Sequence, residues 1–178
     1  MFMKKFILLL YTCAVLTSCA DKPFVIIQIA DAQLGFDAAV KGQAPDAEYV
    51  NDLTYETEFL KQAVQKVNAL KADAVVFTGD QVNKPEDALQ WDTFADAISE
   101  IDSQTSVFHI PGNHDVLLSE GKVDITPFSS RYGEDRFVYS DNQVCIVGIN
   151  SNLIKSNDPR EEEQFEWMRS VLEAAGNH

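Results

Sequence analysis

Positive charge is scarce in this chain of 178 residues. It has 14 lysines and arginines against 28 aspartates and glutamates, a formal net charge of −14. A field of that sign repels a phosphate backbone, which argues against nucleic acid as a partner. The acids are spread along the chain rather than gathered in a tail. Most of them serve solubility, and any that converge would do so around cations. Long apolar runs are also missing. The longest, Phe6 to Leu16, is too short to cross a bilayer as a helix. There is no internal repeat and no low-complexity tract. Apolar residues at 46% and charged residues at 24% are an ordinary globular balance, and the length suits one domain with a core of its own.

Cysteine is limited to Cys13, Cys19 and Cys145. Lys4 and Lys5 precede the short apolar run, so residues 1–18 read as a signal peptide and residues 19–23 as a tether. Leu16-Thr17-Ser18-Cys19 resembles a bacterial lipobox. That resemblance implies cleavage before Cys19, diacylation of its thiol, export, and anchoring to a periplasmic or cell-surface membrane without a spanning helix. The simpler alternative is a secretory signal with an incidental cysteine. On the lipobox reading Cys13 leaves with the signal and Cys19 is lipidated, so only Cys145 remains, which excludes an internal disulfide in the mature chain. Its setting, Val144-Cys145-Ile146-Val147, predicts a buried small hydrophobe.

Residues 24–30 (Phe24 to Ala30), 74–78 and 106–110 are short, apolar runs rich in β-branched residues and predict buried strands. Between them, helical spacing of Phe59, Leu60, Ala63, Val64, Val67 and Leu70 predicts a helix over about 52–70, capped by Asn51 or Asp52. Trp91, Phe94, Ile98 and Ile101 predict a second helix over about 86–101. Strictly alternating strands and helices imply an α/β fold with a mainly parallel sheet covered on both faces. Residues 35–50 and 116–135 read as loops, the second with room for a short helix. Arg136 to Tyr139 and Gln143 to Ile149 read as a hairpin. A third helix is expected over 160–175, with Asp158 as cap, Pro159 at its first position, and Phe165, Met168, Leu172 and Ala175 on its apolar side.

Each of the three strands runs into a polar cluster. These are Asp31-Ala32-Gln33, then Gly79-Asp80-Gln81-Val82-Asn83, then Gly112-Asn113-His114-Asp115. The C-terminal edge of a parallel sheet is where ligands bind. One Asp after a strand is commonly a cap, and a generic doubly wound domain would need nothing more. Three clusters in order need another account. Converging carboxylates repel one another unless a cation lies between them. One Asp can bridge two cations, and an Asn carbonyl can ligate without adding charge. Two metal ions so held can clamp a phosphoryl group and activate water, with a nearby His giving a proton to the leaving oxygen or stabilising the developing charge.

The order Asp-x-Gln, Gly-Asp, Gly-Asn-His-Asp resembles the calcineurin-like metallophosphoesterase superfamily, and most of all its Asp-x-Gln branch, which includes serine/threonine-protein phosphatases. Tyr132-Gly133-Glu134-Asp135-Arg136-Phe137, Asn150-Ser151, Gln164 and Trp167 also look like that branch. The resemblance covers about residues 24–175. It implies a four-layer α/β/β/α sandwich, two divalent metal ions (Mn, Fe, Zn or Mg), and a phosphorylated small molecule or phosphoprotein as substrate. It further implies Asp31 on the first metal, Asp80 bridging, Asn113 on the second, His114 as acid or transition-state stabiliser, and Asp115 orienting His114.

Two departures follow. Gln33 stands where the superfamily has His, and its neutral oxygen would favour harder ions such as Mn²⁺ or Mg²⁺, whether it ligates directly, through water or not at all. Histidine is limited to His109, His114 and His178, and no Gly-His-x-His occurs. His109, inside the third strand, reads as a hydrogen-bonded core residue. The ligands that the superfamily draws from its second half are missing, so residues 24–178 are expected to be a C-terminally truncated domain with little or no turnover alone. The function expected of the whole protein is metal-dependent hydrolysis of phosphate mono- or diesters at a membrane surface, with residues 35–50 and 116–130 shaping the choice of substrate. The alternative is a surface lipoprotein that binds metal or ligand without catalysis.

Overall fold

The apolar, β-branched runs form three parallel strands, β1 (Ile26–Ile29), β2 (Ala74–Phe77) and β3 (Ser106–His109), in the order β1-β2-β3. This computed structural model describes residues 22–42 and 51–176. The expected signal peptide, Cys19, part of the expected tether, residues 43–50 and residues 177–178 lie outside the described residues. The register pairs Ile29 with Phe77 and Phe77 with His109, so the three strands end level with one another. All three polar clusters therefore leave the sheet at one edge.

Two helices cover one face of the sheet. In α2 (Thr54–Leu70), Leu60, Val64 and Val67 are buried at helical spacing. In α3 (Ala88–Ile98), the buried positions are Gln90, Trp91, Phe94 and Ala97. Helix α3 starts later than its apolar periodicity predicts because the Asp87 side chain accepts from the amides of Leu89 at 3.0 Å and Gln90 at 3.3 Å, closing the helix end there. Asp52 takes the amide of Thr54 at 3.0 Å in front of α2. The apolar stripe of α2 is wider than the core it meets, and Phe59 and Leu70 remain 56% and 63% exposed. Leu34, Leu53, Leu60, Val67, Val75, Phe77 and Phe94 form the main core with Ile27 and Ile29 of β1.

The opposite face of the sheet meets a hairpin, not helices. Strands β4 (Leu117–Ser119) and β5 (Lys122–Asp124) form one antiparallel pair, and β6 (Phe137–Ser140) and β7 (Cys145–Gly148) another. The β6–β7 turn is closed by Asp141, whose carboxylate accepts from Gln143 at 2.7 Å and Val144 at 2.9 Å. Gly148 leaves space for the ring of Phe137, since a Cβ there would lie 2.2 Å from it. Phe137 in turn stacks on Phe108 of β3 at 4.5 Å between centroids. Ile26 and Gln28 on the same face of β1 stay exposed, so the expectation of a sheet covered on both faces holds for one face and part of the other.

Three local readings are corrected. Residues 36–41 form a short helix, α1 (Phe36–Lys41), within the expected loop. The segment after Asp115 holds the β4–β5 hairpin, which was not expected, before the short helix that was allowed for, α4 (Thr126–Tyr132). Cys145 is exposed rather than buried, because β6–β7 is a two-stranded ladder with one side open. The last helix, α5 (Arg160–Ala175), has the expected bounds, and Asp158 accepts the Arg160 amide at 3.0 Å. Its buried residue is Gln164, whereas Leu172 on the expected apolar side is exposed. No helix among the described residues is long and apolar enough to cross a membrane.

Candidate functional site

Beyond the last strand residues, the chain continues to pair from loop to loop. The amide of Asp31 donates to Gly79 O at 3.1 Å, Gln33 to Asp80 O at 2.8 Å, and Leu34 to Gln81 O at 3.1 Å. Asp31, Gln33 and Asp80 all adopt left-handed backbone, with φ of 56°, 41° and 52°. Such conformations cost non-glycine residues on the order of 1 kcal/mol each and persist where the surroundings impose them. Here the imposing surroundings are the cross-loop hydrogen bonds. Three of the side chains that sequence reasoning selects are thus aimed by backbone that a free loop would avoid.

Glycine makes the next approach possible. A Cβ on Gly79 would lie 2.6 Å from Gly112 Cα, and one on Gly112 would lie 2.1 Å from Asp80 Oδ1. The loops after β2 and β3 touch backbone to backbone at this point. Asp80 Oδ1 then accepts from the His114 amide at 2.9 Å, joining the second cluster to the third. Asn113 sits exposed at the tip of that third loop.

Asp115 is wholly buried and does not orient His114. Its Oδ1 accepts from Gln81 N at 2.9 Å and Val82 N at 3.2 Å, and its Oδ2 from Gly112 N at 2.8 Å. It is a clasp between two loops. Burial pushes its carboxyl up to about 7, with Asp80 adding to the rise and the three amides opposing it. The ring of His114 is held by Asn83, to which its place in the second cluster assigned no role, since His114 Nδ1 lies 2.9 Å from Asn83 O. A carbonyl only accepts, so Nδ1 carries the proton and donates, leaving Nε2 for other chemistry. Asn83 also meets Gln33, whose Nε2 donates to Asn83 Oδ1 at a long 3.4 Å.

Two buried supports lie behind these loops. Gln90 Oε1 accepts the amides of Asn83 at 3.1 Å and Lys84 at 2.8 Å. The signal for it was present in the sequence, because positions 90, 94 and 97 share the inward stripe of α3 and a Gln on an apolar stripe calls for partners. Asn152 donates to Pro111 O at 3.3 Å and Gly112 O at 3.1 Å, and is itself set by Asn150. Asn150 is buried between Asp135, bonded at 2.7 Å, and Gln164, bonded at 2.8 Å and 3.1 Å. The residues that look like the Asp-x-Gln branch far along the chain thus support the backbone before Asn113.

His109 lies in the core, stacked between Phe77 at 5.0 Å and Tyr132 at 3.9 Å. Burial pulls its imidazole down to about 4. Its Nδ1 is buried without a hydrogen-bond partner among the described residues, so stacking rather than hydrogen bonding holds it.

The donors gathered at this edge are oxygens on Asp31, Asp80, Asn113 and Gln33. Among the described residues no three His, Cys, Asp or Glu side chains are arranged to hold a metal. The set that fits a cation mixes two carboxylates with amide oxygens, on loops locked by the Gly79–Gly112 contact. Oxygen donors of this kind suit hard divalent ions.

Residues 24–177 match a family model described as calcineurin-like phosphoesterase. Serine/threonine-protein phosphatase CPPED1 of Bos taurus is 28% identical over 164 residues, which is 86% of this chain and 52% of that protein. The chain spans about half the length of the curated relative it matches.

Proposed function

Because the chain belongs to the calcineurin-like phosphoesterase family, we propose that it supplies one side of a two-metal site that hydrolyses phosphate mono- or diesters. The observation that carries this reading is the level ending of β1, β2 and β3, which puts Asp31, Asp80 and Asn113 on adjoining, cross-bonded loops. Asp31 would hold the first ion, Asp80 both, and Asn113 the second, with Gln33 beside the first. Divalent ions there supply Lewis-acid activation of water and of the phosphoryl group. The chain's own part is placement and proton transfer. Asn83 fixes the tautomer of His114, so its Nε2 can give a proton to the leaving oxygen when cationic, or donate toward the charge growing on the phosphoryl group. Asp115 keeps the second and third loops in register while the ester turns over.

The substrate is proposed to be a phosphorylated small molecule or a phosphoprotein, met outside the cell membrane by a protein anchored through Cys19. The ions are proposed from Mn, Fe, Zn and Mg, with Mn²⁺ or Mg²⁺ favoured by the oxygen donors. The test is turnover of p-nitrophenyl phosphate and its bis ester with each ion. We expect turnover from a soluble form that carries a Gly-His-x-His beyond residue 178, loss of it in Asp80→Asn, and little or none from residues 19–178. Robust Asp80-dependent turnover by residues 19–178 would overturn the half-site reading. A second reading, ligand binding without turnover, is favoured by Gln33, whose amide nitrogen turns toward Asn83. It predicts saturable binding with no hydrolysis in any divalent metal. Anchoring is checked by radiolabelled palmitate, which should enter the protein and be lost in Cys19→Ser.

A further inference from the structure

Beside Asp31 lies a pocket of about 340 Å³ between the end of β1, α1 and the first turns of α2. That is the size of a small-molecule site. Its wall includes Asp31 and Gln33, so it opens directly onto the candidate site. Its rim is aromatic. Phe36, Tyr55 and Phe59 are each about half exposed, and the rings of Tyr55 and Phe59 lie 4.9 Å apart. Three exposed aromatics around one cavity are costly on a free surface and point to a ligand.

The second observation is polar. Glu56 lines the same pocket and is 9% exposed. Its Oε1 accepts the Asp37 amide at 2.7 Å. Its Oε2 is buried with no hydrogen-bond partner among the described residues. The ammonium of Lys41, which the charge of Glu56 reaches, pairs with Asp37 instead. A buried carboxylate oxygen left without a donor is destabilising, and an incoming donor relieves it.

We propose that this pocket takes an aromatic group bearing a protonated amine, as the alcohol half of the phosphoester substrate. The flat ring lies among Phe36, Tyr55 and Phe59, and the ammonium donates to Glu56 Oε2. A cation suits both the carboxylate and the aromatic rim, and the chain's formal charge of −14 attracts it. Assigning the ligand as half of a substrate rests on the hydrolysis proposed at Asp31 and Asp80; the pocket's chemistry does not.

Tyramine and its neutral analogue p-cresol, titrated into the metal-free chain and followed by isothermal calorimetry or amide chemical shifts, separate the two. Tyramine should saturate, with p-cresol about tenfold weaker for want of the charged hydrogen bond. Glu56→Gln keeps an acceptor for the Asp37 amide and should bring tyramine to the level of p-cresol. Phe59→Ser, at an exposed position, should weaken both. Absence of tyramine saturation, or an unchanged tyramine to p-cresol ratio in Glu56→Gln, overturns the proposal. Asp80→Asn should abolish hydrolysis and leave tyramine binding intact. Tyramine binding without ester turnover in any form would therefore sink the hydrolysis reading alone, and turnover without tyramine binding would sink the pocket alone.

Discussion

Around the ends of β1, β2 and β3 the loops are bonded to one another by backbone and by buried side chains, whereas β7 and α5 turn apolar residues outward. At the first place Asp115, Gln81, Gln90, Asn150 and Gln164 are all buried, and four of them are bonded to backbone amides. At the second, Cys145 and Leu172 are exposed. The difference shows where the chain's specificity lies. A buried polar group tolerates one arrangement, because any other leaves it unpaired. An exposed apolar residue tolerates many. The site edge is therefore the rigid part, although it consists of loops.

The harshest way to break that contrast is to add one methyl group. Gly79→Ala places a Cβ 2.6 Å from the Gly112 backbone at a φ of +106°. The Gly79 backbone cannot give way without breaking the Asp31 and Gln33 amide bonds, nor the Gly112 backbone without breaking its bonds to Asp115 and Asn152. We expect a loss of at least about 4 kcal/mol or outright failure to fold, read by urea denaturation. The same change at Gly176, where a Cβ would have no neighbour closer than 3.4 Å, should be tolerated. Equal losses at the two positions would show that the site edge is not the tighter place.

His109 offers a test through pH. Its folded-state value, about 4, lies below the ordinary 6.5 because burial disfavours the cation. Between those values the unfolded chain binds more protons at His109 than the folded one, so the His109 contribution to stability rises with pH through that window and is flat above it, while the buried Asp115 carboxyl, raised to about 7, contributes the opposite slope. The full span amounts to about 3 kcal/mol. His109→Phe, which keeps the stack with Phe77 and Tyr132, should remove this rise, so the wild type should gain stability on the variant as pH goes from 4 to 7 in denaturation curves of the two. A difference between them that does not change with pH would place the slope elsewhere.

Asn152→Ala tests the buried support at smaller cost. It removes the donor to Pro111 O and Gly112 O, and a loss of about 1–2 kcal/mol is expected. Hydrogen exchange should quicken at residues 112–115 and stay unchanged in α2. Uniform quickening would mean that Asn152 supports the whole domain rather than this loop.

How much of this was legible in the sequence depended on the range of the interaction. Strands, helices and the three clusters follow from local periodicity and from turns that need glycine, and each was readable within a dozen residues. The partners within the site were not. Asp115 and His114 are neighbours in sequence, and pairing them was the natural expectation. The structure gives Asp115 to amides about thirty residues earlier and His114 to Asn83. The left-handed backbone at Asp31, Gln33 and Asp80 carries no glycine to announce it, because cross-loop bonds rather than residue type impose it. Cys145 was misread for the converse reason. Its apolar run is that of a buried strand, but burial depends on what lies across the sheet, which a local pattern does not encode.

The smallest expected effect is at Leu172, and it bears on the comparison most directly. Leu172 belongs to the apolar stripe of α5 by spacing, yet it is 51% exposed. Phe94 holds the same kind of position on α3 and is fully buried. If burial rather than pattern sets the energy, Leu172→Ser should change the stability of this chain by no more than about 0.5 kcal/mol, while Phe94→Ala should cost about 3–5 kcal/mol. Thermal and urea unfolding of the two variants, measured side by side, decide it. A loss at Leu172 above about 1 kcal/mol would mean that this face is covered in solution, and in a longer form of the protein the same substitution then reports whether added residues cover it.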